Sequence, residues 1–309
     1  MLAVPKKAGN ADRAPLAHDA DSQRGCAMFE FHGAMRGEPP HPGIYPSVSE
    51  AQQREFEAAF YTQIGLVKKW FADSGWIPEN TELLPLQKSG TYQPDKKFHV
   101  FISEEYEFSR ALVPAWSAQR GRMEFPADRV VAGEAALAHE LVHVFFPNGN
   151  RMLAEGLAVY LHQVVAANPA FPNFQVDLHE LVAKLITDHD GPFNGPSDLK
   201  QISIAKLDKI PTPDDMTFRI GQQSCDDASV TYALAGSFTR FLIEHCEPKA
   251  ERQARKCPTF LKLYRETPLV PMVRNPGNAD RWERIYGRSL EELEAKWKKM
   301  IHRLLASKS

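Results

Sequence analysis

Ala138-His139-Glu140-Leu141-Val142-His143-Val144-Phe145 is the stretch on which the reading of this chain turns. On a helix, His139 and His143 stand one turn apart and point the same way, so both imidazoles can reach one metal ion. Glu140 lies about 100° round the helix from His139, where it can touch a water held by such an ion without ligating it. A core helix that carries two histidines by chance would show the same letters, so the surroundings decide.

A catalytic zinc takes three protein ligands and keeps one position open. Pro147-Asn148-Gly149-Asn150 ends the first helix and turns the chain into a second, Met152-Leu153-Ala154-Glu155-Gly156-Leu157-Ala158-Val159-Tyr160. If the second helix packs back on the first, Glu155 returns level with the two histidines and supplies the third ligand. Leu153, Ala154, Leu157 and Ala158 make this helix apolar and buried, and a carboxylate in such a setting needs a partner. Gly156 removes a side chain where two helices approach closely.

HELVH (His139 to His143) followed by LAEGLAVY (Leu153 to Tyr160) resembles the gluzincin metallopeptidases, strongly over about 25 residues and loosely over the helices that follow. The resemblance implies an α+β, zincin-like catalytic domain with one Zn2+ per chain. It also implies His139, His143 and Glu155 as ligands, Glu140 as general base, and a peptide or protein substrate. The 11 residues between His143 and Glu155 make a shorter gap than in thermolysin-like or aminopeptidase-like members, and resemble the short-spaced peptidase MA-like proteins. Position 159 is Val, where many gluzincins carry an Asp that orients a histidine. Another group must do so here, and His162, on the face of Glu155, is a candidate. The HExxHxxGxxH alternative fails, because positions 146 and 149 are Phe146 and Gly149.

The resemblance further implies an oxyanion donor on a downstream helix. Tyr232 is the best placed, opening a helix that Asp227 or Ser229 can cap, with small residues Ala233, Ala235 and Gly236 around it; Tyr160, Tyr264 and Tyr286 are rivals. Gly121-Arg122-Met123-Glu124-Phe125 is faintly similar to the strand with which gluzincin aminopeptidases grip a substrate amine, which makes Glu124 a candidate substrate-binding residue. Arg240, eight residues after Tyr232, is a second, for a substrate carboxylate, with a salt-bridge role as the plainer alternative. The five tryptophans, Trp70, Trp76, Trp116, Trp282 and Trp297, are expected to be packing residues.

Outside these motifs, residues 1–48 are rich in Ala, Gly, Pro and charge and read as an irregular extension. A helix for which Ser47 and Ser49 both offer N-caps is expected to run to about Phe71, with Phe56, Phe60, Ile64, Val67 and Phe71 on one face. Strands are expected at about 97–102 and 122–131, the second placed at a sheet edge by Pro126. Helices follow at 132–146, 152–167, 176–188, 229–245, 249–265, 279–286 and 290–305, with residues 189–228 a long connection. The last helix opens with a capping box, Ser289 and Glu292. The organisation expected is thus a mixed catalytic subdomain over 49–167 and a helical subdomain over 168–309 that closes the cleft.

The 309 residues carry 37 Lys plus Arg against 39 Asp plus Glu, a net charge of -2, which lacks the basic footprint of a nucleic-acid binder. No apolar run is long enough to span a membrane. Cys26, Cys225, Cys246 and Cys257 fall in no CxxC pair; Cys246 and Cys257 could close a small loop in an oxidising compartment, with four buried or idle thiols as the favoured alternative. No signal peptide is visible, so a cytoplasmic location is expected if Met1 is the natural start, and an extracytoplasmic one if a leader has been removed. Two other functional classes fit the same residues: a zinc-binding scaffold without turnover, which the intact Glu140 argues against, and a zinc hydrolase of non-peptide bonds. Nothing in the sequence indicates an oligomeric state.

Overall fold

The computed structural model describes residues 29–32, 48–73, 98–112, 122–166, 176–187, 202–208, 226–246, 257–266 and 280–307. The first long helix, α1 (Glu50–Asp73), begins where Ser49 and Gln52 cap each other: the Ser49 hydroxyl accepts the Gln52 N–H, and the Ser49 N–H donates to Gln52 Oε1 at 2.9 Å. Its apolar stripe is buried as expected, with Trp70 added to it.

The sheet is small and mixed. Strands β1 (Phe29–His32), β2 (Phe98–Ser103), β3 (Arg110–Leu112) and β4 (Arg122–Pro126) lie in the order β1-β2-β4-β3, with β2 parallel to β1 and β4, and β3 antiparallel to β4. The sheet departs from the sequence expectation at two points. The segment 122–131 is not one edge strand: β4 lies between β2 and β3, and the residues after Pro126 form a short helix, α2 (Ala127–Val131). Proline is tolerated because it is the last residue of the strand and the N-cap of α2, where its missing N–H removes little. β1, meanwhile, lies inside the stretch read as irregular and pairs with β2.

After α2, a turn through Gly133 at φ 70°, a backbone region that suits glycine, leads into α3 (Leu137–Phe145). Then come α4 (Arg151–Val164), α5 (Leu178–Thr187), the short α6 (Ile204–Leu207), α7 (Asp226–His245), α8 (Pro258–Glu266), α9 (Asp280–Tyr286) and α10 (Leu290–Ala306). α6 breaks the connection expected over 189–228, and α8 begins at Pro258 within the helix expected from 249. α10 carries the capping box read from Ser289 and Glu292.

The core is continuous from α1 and the sheet through α10. Phe56 of α1 meets Phe125 of β4 edge to face, with ring centroids 5.3 Å apart. α3 packs against α1, α4 and β3, and α4 packs most extensively on α7. The α4–α7 crossing depends on two glycines. A Cβ on Gly156 would stand 2.1 Å from Thr239 Oγ1 and 2.7 Å from the Ala235 carbonyl oxygen, and one on Gly236 would stand 2.5 Å from Val159 Cγ1. Trp70, Trp282 and Trp297 are core residues; Trp76 and Trp116 lie outside the described residues, as do Cys26 and Cys225. Cys257 is buried and Cys246 half-buried. Among the described residues, no helix is long and apolar enough to cross a membrane.

Candidate metal centre

The turn between α3 and α4 is held by side-chain amides. The Asn150 Oδ1 caps α4 by accepting the Leu153 N–H at 2.9 Å, and the Asn148 Oδ1 accepts the Asn150 N–H at 2.8 Å. Asn148 Nδ2 donates to the Tyr264 carbonyl at 2.8 Å, and the Tyr264 hydroxyl donates to the Phe146 carbonyl. Asn150 Nδ2 donates to Asp208 Oδ1 at 2.8 Å; Asp208 is in turn bound by Arg281 and by the Trp282 indole N–H. A segment that reads only as a turn in the sequence is therefore fixed on both sides by the ends of α6, α8 and α9.

That rigidity brings Glu155 back onto the histidines. His139 Nε2 lies 3.2 Å from His143 Nε2, Glu155 Oε2 lies 3.0 Å from His139 Nε2, and Glu155 Oε1 lies 3.3 Å from His143 Nε2. All three side chains are buried. Bonds of about 2.0–2.1 Å at a tetrahedral angle put neighbouring ligand atoms about 3.3–3.4 Å apart, so the three donors already stand near the spacing that one zinc-sized ion requires. Two imidazoles and a carboxylate are also the donor types such an ion takes.

Glu140 is buried in the same neighbourhood and lies outside the converging trio. Burial pushes its carboxyl above the ordinary value, and the two histidines only partly oppose this. At His139 burial disfavours the charged ring, yet Glu155 outweighs it and holds the pKa above 6.5. At Glu155 burial is likewise overcome, chiefly by Arg151 and His143, and the carboxyl sits well below the usual range.

Arg151 was not foreseen. Its Nη1 lies 2.9 Å from Glu155 Oε1, one turn along α4, and its Nη2 donates to the Tyr232 hydroxyl at 3.1 Å. Arginine and glutamate four residues apart on a helix are the signal that could have found it. Tyr232 is thereby tied into the centre, its ring centroid 5.8 Å from that of His139. Burial and Glu155 raise its pKa, so the phenol keeps its proton.

The remaining candidates fall elsewhere. Glu124 is fully buried in β4 and ion-paired with Arg110, its direct partner across β3. Arg240 binds Asp177 and Glu244, the plainer of its two expected roles. His162 is buried with its ring centroid 6.4 Å from that of His139, but it does not hydrogen-bond the His139 Nδ1, which has no such partner among the described residues. Of the rival tyrosines, Tyr264 serves the α3–α4 turn.

No family model, curated protein or solved structure matches this chain.

Proposed function

We propose that this chain is a zinc-dependent metallopeptidase on a zincin-like domain. The observation that carries the reading is the convergence of His139, His143 and Glu155, with mutual donor distances of 3.0–3.3 Å. A bound zinc would lower the pKa of a water and polarise the scissile carbonyl. Glu140, raised by burial, accepts the proton of the attacking water and delivers it to the leaving amine. Tyr232 keeps its hydroxyl hydrogen and, while accepting from Arg151, can still donate it to the carbonyl oxygen as charge grows there. Arg151 fixes the phenol and the ligand carboxylate with a single guanidinium.

A peptide substrate is favoured by the sheet. β3 is one of the two terminal strands in the described sheet and packs against α3, so an extended chain added along it would run beside the helix that carries His139 and His143. The test is cleavage of a diverse peptide library, read by mass spectrometry, with zinc, with chelator, and after zinc is restored. Cleavage that is lost with chelator and returns with zinc supports the reading; cleavage indifferent to chelator refutes it.

A further inference from the structure

A second group of ligating side chains lies away from this centre, where the start of α5 meets the end of α7. One ring nitrogen of His179, one of His245 and one carboxylate oxygen of Glu244 all fall within 4.8 Å of one another. We infer that these three residues form a second site for a borderline divalent ion such as Zn2+ or Ni2+, distinct from the His139 centre.

His179 is the buried member of the group. It is 6% exposed, and its Nδ1 lies 2.8 Å from the Ser237 Oγ, which also accepts the Trp297 indole N–H at 3.0 Å. A hydroxyl oxygen has two lone pairs, so it can accept from both rings. With its proton on Nδ1, His179 would offer a bare Nε2 as a ligand. That Nε2 is buried and has no hydrogen-bond partner among the described residues. Buried polar atoms are rarely left so, and a ligand histidine oriented through its other nitrogen is the usual arrangement at a metal.

The surroundings suit a cation. His245 is the last residue of α7, where the helix carbonyls favour positive charge. Arg240 does not oppose it alone, because Asp177 and Glu244 both pair with that guanidinium, and two carboxylates face one arginine. Glu244 engages Arg240 through Oε2, which leaves Oε1 for an ion. The ring centroids of His179 and His245 are 6.2 Å apart, against 4.9 Å for His139 and His143. His245 is exposed, so a rotamer change can close the difference. Two imidazoles and a carboxylate select zinc or nickel over magnesium or calcium. Such an ion would clamp the end of α7 to the start of α5.

The test is zinc titration of the metal-stripped full-length protein, read by calorimetry and by metal content after dialysis. Two zinc ions are expected per chain. His245→Ala, an exposed change that spares the core, should leave one ion and lower affinity for the other by about 10-fold or more. His139→Ala with His143→Ala should keep the His245-dependent ion, so the two assignments fail separately. A second ion bound by His245→Ala with parental affinity, or one that binds only at millimolar zinc whether or not His245 is present, overturns the inference.

Discussion

Arg151 Nη1 lies 2.9 Å from the Glu155 carboxylate, inside the same buried cluster on which His139 and His143 converge. The arginine is therefore part of how a buried acid is tolerated before any ion arrives. Arg151→Met leaves that carboxylate without its cation, which costs about 3–5 kcal/mol for a broken buried pair. A bound zinc supplies the missing charge. Denaturant unfolding should show a large loss of stability in the chelator-treated variant and a much smaller loss with zinc present. Equal losses in both conditions would remove Arg151 from the centre.

Gly156 sets the distance between the ligand helix and α7. Gly156→Ala places a methyl 2.1 Å from Thr239 Oγ1 and 2.7 Å from a carbonyl of a helix that cannot yield cheaply. Overpacking of this kind costs about 1–3 kcal/mol or more. Because Glu155 is the preceding residue, the shift should also weaken zinc binding. A variant with parental stability and parental zinc affinity would show that the crossing is looser than described.

Tyr232→Phe removes one hydroxyl and keeps the ring against His139. The expected result is a kcat lower by about 10- to 10³-fold, with KM and zinc content little changed. An unaltered kcat would assign the tyrosine to holding Arg151 alone.

Proton and metal compete for His139. Its pKa in the metal-free protein is raised above 6.5, burial being outweighed by Glu155. A raised base contributes stability that is complete below its unfolded pKa and lost as pH rises through the folded value, and below that folded value zinc must displace the proton. Zinc affinity should therefore fall by about one decade per pH unit once pH drops below the raised pKa. Calorimetric titrations between pH 5.5 and 8 would read this, and a flat affinity across that range contradicts the assignment.

The approach of His139, His143 and Glu155 was legible because its information is largely local. His139 and His143 share one helical face with Glu140 about 100° round from it, and Glu155 follows a short turn that Asn150 caps, so helical spacing and that turn bring them close. The Ser289–Glu292 capping box was readable for the same reason. Long-range pairing was not readable. Arg240 meets Asp177, 63 residues away, and no spacing announces it. β3 is three residues long and carries no alternation to detect. In Arg122 to Val131, apolar letters suit strand and helix equally, and the proline that suggested an edge instead marks the point where one becomes the other.

Glu140→Gln isolates the role of Glu140 as the base beside a metal held by other residues. The measurement is the rate of peptide-bond hydrolysis by parent and variant at matched, directly determined zinc content. Equal zinc and a rate lower by about 10²–10⁴-fold are expected in the variant. A variant that holds its zinc and cleaves peptides as fast as the parent would contradict that role.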